Sequence, residues 1–165
     1  MPEQITLMNR DQISRTLKRL AIQVWETLSE EGELILIGLN ERGFATATML
    51  NSYLKSISKR EFEVHQFFVQ DIGPKKNLPN CTEKKVLIID DVIFSGKTMF
   101  NALSTICFSN EPETIEVLTL VDRGHRKYPV LSELTGIEVP TKFGEHIEVI
   151  LNNDSLEQVI LFKNN

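Results

Sequence analysis

Two rhythms of apolar residues run along this chain. From residue 9 to 28, Ile13, Leu17, Leu20, Ala21, Val24 and Leu28 recur with a period of about 3.6, and Arg15, Lys18, Arg19 and Glu26 fill the positions between. That pattern predicts an amphipathic packing helix capped by Asn9 or Asp11, with Trp25 as a core or dimer-interface aromatic. The second rhythm is the short unbroken apolar run. Leu34 to Leu39, Val86 to Ile89 and Ile115 to Val121 each read as a strand covered on both faces of a parallel sheet. Small residues from Phe44 toward Leu54 predict a second helix, Phe62 to Val69 a further strand, and the stripe Met99, Leu103, Ile106, Cys107 a third helix broken by Asn110-Glu111-Pro112. Near the end Ile147, Val149 and Leu151 alternate, and after Asn152-Asn153-Asp154 comes Gln158 to Phe162, a hairpin or a pair of edge strands. The expected fold class is α/β, with a central mostly parallel sheet flanked by helices and followed by C-terminal strands. No linker, repeat or low-complexity tract divides residues 1–165, which are expected to form a single domain.

Composition narrows the class. A chain of 165 residues, 41% hydrophobic and 25% charged, has the balance of an ordinary soluble protein. No apolar run approaches the length of about 20 residues needed to cross a bilayer, and MPEQITLMNRDQISR lacks the basic start and apolar core of a signal peptide, so a cytoplasmic address without membrane contact is expected. Cys81 and Cys107 make neither a disulfide scaffold nor a metal cluster, and Cys107, in an apolar stretch, is expected to be a core thiol. A net charge of -5 argues against a wide nonspecific nucleic-acid surface. It leaves room for a local basic patch from Arg15, Lys18, Arg19, Arg123, Arg126 and Lys127.

The candidate chemistry centres on Lys84 to Thr98, KKVLIIDDVIFSGKT. Asp90 and Asp91 should project past the carboxyl edge of the strand, and Phe94-Ser95-Gly96-Lys97-Thr98 should lead into a helix whose free N–H groups can cradle a phosphate. Carboxylates repel a phosphate but suit a sugar diol or a divalent cation, so a sugar phosphate is one expected ligand. The blander reading is a helix cap in a soluble loop. A nucleoside-triphosphate P-loop is excluded, because its first glycine would fall on Asp91. Asn40-Glu41-Arg42-Gly43 is either a tight turn or a close approach to a ligand. Asp122-Arg123-Gly124-His125-Arg126 is a solvent face or a ligand rim, and His125 has no metal-site spacing to His65 or His146. Lys75 and Lys76 lie in a short proline-containing segment, a plain solvent loop or a small flap.

The run VLIIDDVIFSGKT closely resembles the phosphoribosyl-diphosphate signature of type I phosphoribosyltransferases. Val121 to Arg126, VDRGHR, resembles a motif of one subfamily, pyrimidine-operon attenuation regulators that double as uracil phosphoribosyltransferases. The resemblance implies that family's fold with its small hood. It also implies displacement of pyrophosphate from phosphoribosyl diphosphate by uracil or a related pyrimidine, with magnesium as cofactor. Asp90 and Asp91 would hold ribose hydroxyls and, through them or water, the metal. Ser95, Gly96, Lys97 and Thr98 would hold the 5-phosphate, Arg42 and Gly43 the pyrophosphate, and Phe94, Asp122, Arg123 and Arg126 would border the base. Purine-using relatives place an acid where this chain has Phe94, which favours a pyrimidine or no base. Asn40 and Glu41 stand where the regulators carry lysine and threonine. A homodimer or higher oligomer is implied. The alternative is a noncatalytic phosphoribosyl-diphosphate or nucleotide sensor, with attenuator RNA as a partner ranked behind the small molecules.

Overall fold

Asn9 rather than Asp11 starts the first helix. Its side chain accepts the Gln12 N–H at 2.9 Å, and the Gln12 side chain accepts the Asn9 N–H at 2.8 Å, a reciprocal capping box. The helix, α1 (Arg10–Thr27), buries Ile13, Leu17, Leu20, Ala21 and Val24. Leu28, expected on the same stripe, is instead the C-cap. Trp25 packs at the edge of the same core. The computed structural model describes residues 3–69 and 78–164, so Lys75 and Lys76 lie outside the described residues.

The remaining elements are β1 (Glu3–Met8), β2 (Leu34–Leu39), α2 (Asn40–Ser58), β3 (Glu63–Phe67), β4 (Lys85–Ile93), α3 (Lys97–Ser109), β5 (Thr114–Asp122), β6 (Leu134–Glu138), β7 (His146–Asn152) and β8 (Ser155–Lys163). Five strands form a parallel sheet in the order β3-β2-β4-β5-β6. The other three form a small antiparallel sheet, β1-β8-β7. All six residues of β2 are buried, as a strand covered on both faces must be. Leu36, Leu87, Ile89, Leu118 and Leu120 join the α1 and α2 side chains and Ile147, Val149, Leu156, Val159 and Leu161 of the small sheet in one core. Ile35, Ile37, Val86 and Ile88 join Met99, Ala102 and Ile106 of α3 in the other. The fold is thus the expected α/β class.

Four local expectations change. The strand expected at Phe62 to Val69 is only Glu63–Phe67. α2 begins at Asn40, so Arg42 and Gly43 belong to its first turn and not to a loop before it. β4 runs on through both acids to Ile93, with Asp90 paired to Thr119, so the acids lie within the last part of the strand. Cys107 is exposed, and Cys81 is the buried thiol. The reason is helical phase: α3 turns Met99, Ala102 and Ile106 to the sheet, and the residue after Ile106 rotates away by about 100°.

Candidate functional site

The strand order sets the place. From β2 the chain passes to β3 at one edge, whereas from β4 it passes to β5 on the other side. The helix after β2 packs in the core with α1, and the helix after β4 packs in the opposite core. The connections therefore diverge at the carboxyl ends of these two neighbouring strands, the position where open α/β sheets receive ligands.

On the β4 side, the Asp91 N–H donates to Asp90 Oδ1 at 2.9 Å. Burial, and then the negative charge of Asp91 beside it, push the Asp90 carboxyl well above the usual carboxylate range. Four residues past Asp91, Ser95 begins the turn into α3. Gly96 caps that helix with φ 85° and no side-chain hydrogen bond. A methyl at Gly96 would stand 3.0 Å from the Tyr128 carbonyl oxygen, so both backbone and space favour glycine. Lys97 N–H donates to Ser95 Oγ at 3.3 Å, and the Phe100 N–H makes the first helical bond to the Gly96 carbonyl at 2.8 Å. Thr98 and Met99, between them, are among the helix-start residues for which α3 offers no carbonyl. Asp90, Phe94, Ser95, Gly96, Lys97 and Thr98 line a concavity of about 230 Å³ with Val92, Ile93 and Met99.

The segment after β5 supports this loop from behind. Ser95 O accepts the N–H groups of Lys127 and Tyr128, each at 2.9 Å. Arg126 grips Asp122 with two bonds of 2.8 Å and also donates to Phe94 O and Val130 O, each at 2.9 Å. Burial would raise the Asp122 carboxyl, but the Arg126 bonds and charge and the Gly124 N–H outweigh it and hold the group below its ordinary range. Arg123 lies 4.0 Å over the Phe94 ring and donates to Thr141 Oγ1 and Glu145 O. Burial lowers its pKa, opposed by Glu145. Asp122, Arg123 and Arg126 therefore shape the Phe94–Gly96 loop from outside the concavity.

On the β2 side, Arg42 Nε donates to the Val149 carbonyl at 2.8 Å, so the first turn of α2 is moored to the small sheet. Gly43 meets β4 face on: a Cβ there would lie 2.7 Å from the Ile89 carbonyl oxygen and 3.2 Å from Asp90 Oδ1. This contact brings the two turns together across Asp90. Gly43→Ala is expected to lower stability by about 2 kcal/mol, because the obstructing atom is backbone and must move; urea denaturation measures it. Sequence reasoning did not find the Val149 carbonyl, the Thr141 hydroxyl or the Glu145 carbonyl. Each sits in the C-terminal third, and only the folded chain brings it to these arginines.

A family model described as phosphoribosyl transferase domain matches residues 6–151. The chain belongs to this family. The acid pair, the Gly96 turn and the Arg42-Gly43 turn are accordingly read as parts of a phosphoribosyltransferase fold. A relative from Gloeothece citriformis named bifunctional protein PyrR is 34% identical over 177 residues, covering 99% of this chain and 100% of its own. One of the same name from Actinobacillus pleuropneumoniae is 30% identical, covering 95% and 96%. Among solved structures, a hypoxanthine-guanine phosphoribosyltransferase from Bacillus anthracis shares 25% identity with a TM-score of 0.68, covering 84% of each chain. The hypoxanthine phosphoribosyltransferase of Trypanosoma cruzi in complex with the product IMP has a TM-score of 0.75 at 19% identity, covering 98% of this chain and 91% of its own, and supports the fold. Among the described residues, no helix is long and apolar enough to cross a membrane.

Proposed function

We propose that the protein binds phosphoribosyl diphosphate with magnesium at the β2/β4 crevice and transfers the phosphoribosyl group to uracil or a related pyrimidine, releasing pyrophosphate. The observation that carries the reading is that Asp90, whose carboxyl is raised by burial and by Asp91 beside it, shares one concavity with a helix start whose glycine cap offers no side-chain hydrogen bond. The α3 N–H groups and the Ser95 and Thr98 hydroxyls suit the 5-phosphate, assisted by Lys97. Asp90 and Asp91 suit ribose hydroxyls. Holding the sugar in line matters because positive charge grows on the ring as pyrophosphate departs. Arg42, fixed through Nε, would offer its remaining guanidinium donors to the diphosphate, and Gly43 lets that turn approach Asp90.

Adjacent carboxylates are hard oxygen donors, and their mutual repulsion would be relieved by a divalent cation. Among the described residues no group of three or more His, Cys, Asp or Glu could hold a metal, and a magnesium ion would take most of its oxygens from the ligand and water, with Asp90 and Asp91 holding it through ribose hydroxyls or water. Bound magnesium would neutralise charge on the diphosphate as it leaves.

Phe94, stacked under Arg123, has no proton to exchange with a base nitrogen. That supports a pyrimidine acceptor over a purine, as do the relatives named bifunctional protein PyrR. Incubation with uracil, phosphoribosyl diphosphate and magnesium is expected to yield uridine monophosphate, with hypoxanthine and guanine left unconverted; chromatography of the products measures it. Glu41, exposed in the same turn as Arg42, favours the second reading, a noncatalytic sensor or RNA-binding regulator. Phosphoribosyl diphosphate binding with every pyrimidine left unconverted would select the sensor. RNA-binding regulation would instead require selective binding of a pyrimidine-operon leader over scrambled RNA at physiological salt.

A further inference from the structure

The β2–β3 ladder ends at the pair Leu39 and Phe67. One residue on, Asn40 takes a left-handed backbone with φ 56°. Among residues other than glycine, asparagine enters that region most readily, which suits it to turn a buried strand straight into a helix. Two bonds, one from β3 and one from the residues just beyond it, hold it there. Asn40 Oδ1 accepts the Val69 N–H at 3.2 Å, and the Asn40 carbonyl accepts a hydrogen bond from Gln66 Nε2 at 3.1 Å. The side chain thus adds one rung beyond the last backbone pair, at the carboxyl edge of the sheet.

The first turn of α2 is also held by Arg42 on the Val149 carbonyl and Gly43 against β4, but its entry from β2 has no side-chain cap. Leu39 is its N-cap and supplies no side-chain hydrogen bond. The entry angle of α2 therefore depends on Asn40, and two residues later the chain must deliver Arg42 to the Val149 carbonyl and Gly43 against Ile89 and Asp90. A small rotation at Asn40 would lift Gly43 from β4 and swing the free end of Arg42.

We propose that Asn40 is a positioning residue for diphosphate recognition: by capturing the Val69 N–H it sets the orientation of the Arg42-Gly43 turn. The inference rests on the phosphoribosyl reading above. It separates the two halves of the ligand, since the 5-phosphate cradle is built on β4 and α3 and shares no hydrogen bond with Asn40.

Asn40→Gly keeps the left-handed backbone accessible and deletes the whole side chain, the acceptor oxygen included. Calorimetry with magnesium is expected to show phosphoribosyl diphosphate affinity down about tenfold, with ribose 5-phosphate affinity within about twofold of the unsubstituted protein. Hydrogen exchange at the Val69 amide should accelerate by about tenfold or more in Asn40→Gly and stay slow in Asn40→Asp, which retains an acceptor oxygen. Should Asn40→Gly fail to fold, Asn40→Ser is read in the same ways. A parallel fall in both affinities would mark a merely structural residue and overturn the inference. So would unchanged phosphoribosyl diphosphate affinity beside intact binding in the unsubstituted protein. If the unsubstituted protein binds neither ligand, the phosphoribosyl reading itself fails and this inference falls with it.

Discussion

Asp90→Asn is expected to make the protein more stable and a poorer binder at once. The ionised carboxylate is held where burial and the Asp91 charge oppose it, so replacing it with a neutral amide of the same shape removes an unfavourable charge. Because the folded-state pKa lies above the unfolded value of about 3.9, the folded protein keeps its proton where the unfolded chain has released it. The stabilising contribution is full below the unfolded value and is lost as pH rises through the raised folded value. The stability advantage of Asp90→Asn should therefore grow with pH across that window and then level off, which urea midpoints measured from pH 4 to pH 8 would show. Under the proposed function, the same change would also remove an acceptor for a ribose hydroxyl or a magnesium-bound water. Loss of a charge-assisted hydrogen bond of about 1.5–3 kcal/mol predicts phosphoribosyl diphosphate binding roughly ten- to a hundredfold weaker. A variant that bound as tightly as the unsubstituted protein would remove Asp90 from the ligand's contacts.

Arg126→Ala is expected to have the largest effect on stability, about 3 kcal/mol. The side chain makes four hydrogen bonds, two to Asp122 and one each to Phe94 O and Val130 O, and truncation leaves their acceptors unpaired. The Asp122 and Arg126 side chains are only 19% and 20% exposed, so water replaces the lost partner poorly. Asp122 also carries a pH signature. Its folded pKa lies below the unfolded value, so its contribution is present above the unfolded value and disappears as pH falls through the folded one. Acid unfolding of Arg126→Ala should consequently show a smaller loss of stability over that window. The Phe94–Gly96 loop loses its prop in the same variant, so weaker binding of ribose 5-phosphate should accompany the lower urea midpoint. A drop within 0.5 kcal/mol, as at an ordinary surface position, would contradict the supporting role.

The large sheet was legible because its central strands are continuous apolar runs, and Leu34 to Leu39 matches β2 at both ends. The Asp90 to Thr98 segment was legible because its chemistry is contiguous, so that nine neighbouring residues, including both acids and the glycine cap, share one junction. β1 and β6 were not read. β1 pairs with β8 at the far end of the chain, and a shift in register near Met8 interrupts its alternation. β6 contains Gly136, normally a sign against a strand interior. There the glycine is required, since a Cβ would run into the Leu120 carbonyl and lie 2.9 Å from Thr16 Cγ2. Its exposed carbonyl takes a hydrogen bond from Arg19 at 2.8 Å, which ties α1 to the sheet edge. The arginine assignments show the other limit. The residues alone left Arg123 and Arg126 on a solvent face or a ligand rim and the family resemblance favoured the rim, but only the folded chain shows that both donate to neighbouring segments.

The alternation that named the C-terminal hairpin also understated it. β7 and β8 do more than close the chain: they carry the Val149 carbonyl that moors Arg42, and they pack into the same core as α1 and α2. The small sheet thereby helps fix the Arg42-Gly43 side of the crevice, whereas the Asp90–Thr98 side is built almost wholly from one stretch of sequence.

The most direct test of the β2/β4 crevice as a phosphoribosyl diphosphate site is a calorimetric titration of the unsubstituted protein with that ligand, with and without magnesium, repeated on Asp90→Asn/Asp91→Asn. Saturable heat that strengthens with magnesium and is lost or sharply weakened in the double variant is the expected result. No heat at millimolar ligand, or equal binding by the double variant, would contradict the assignment.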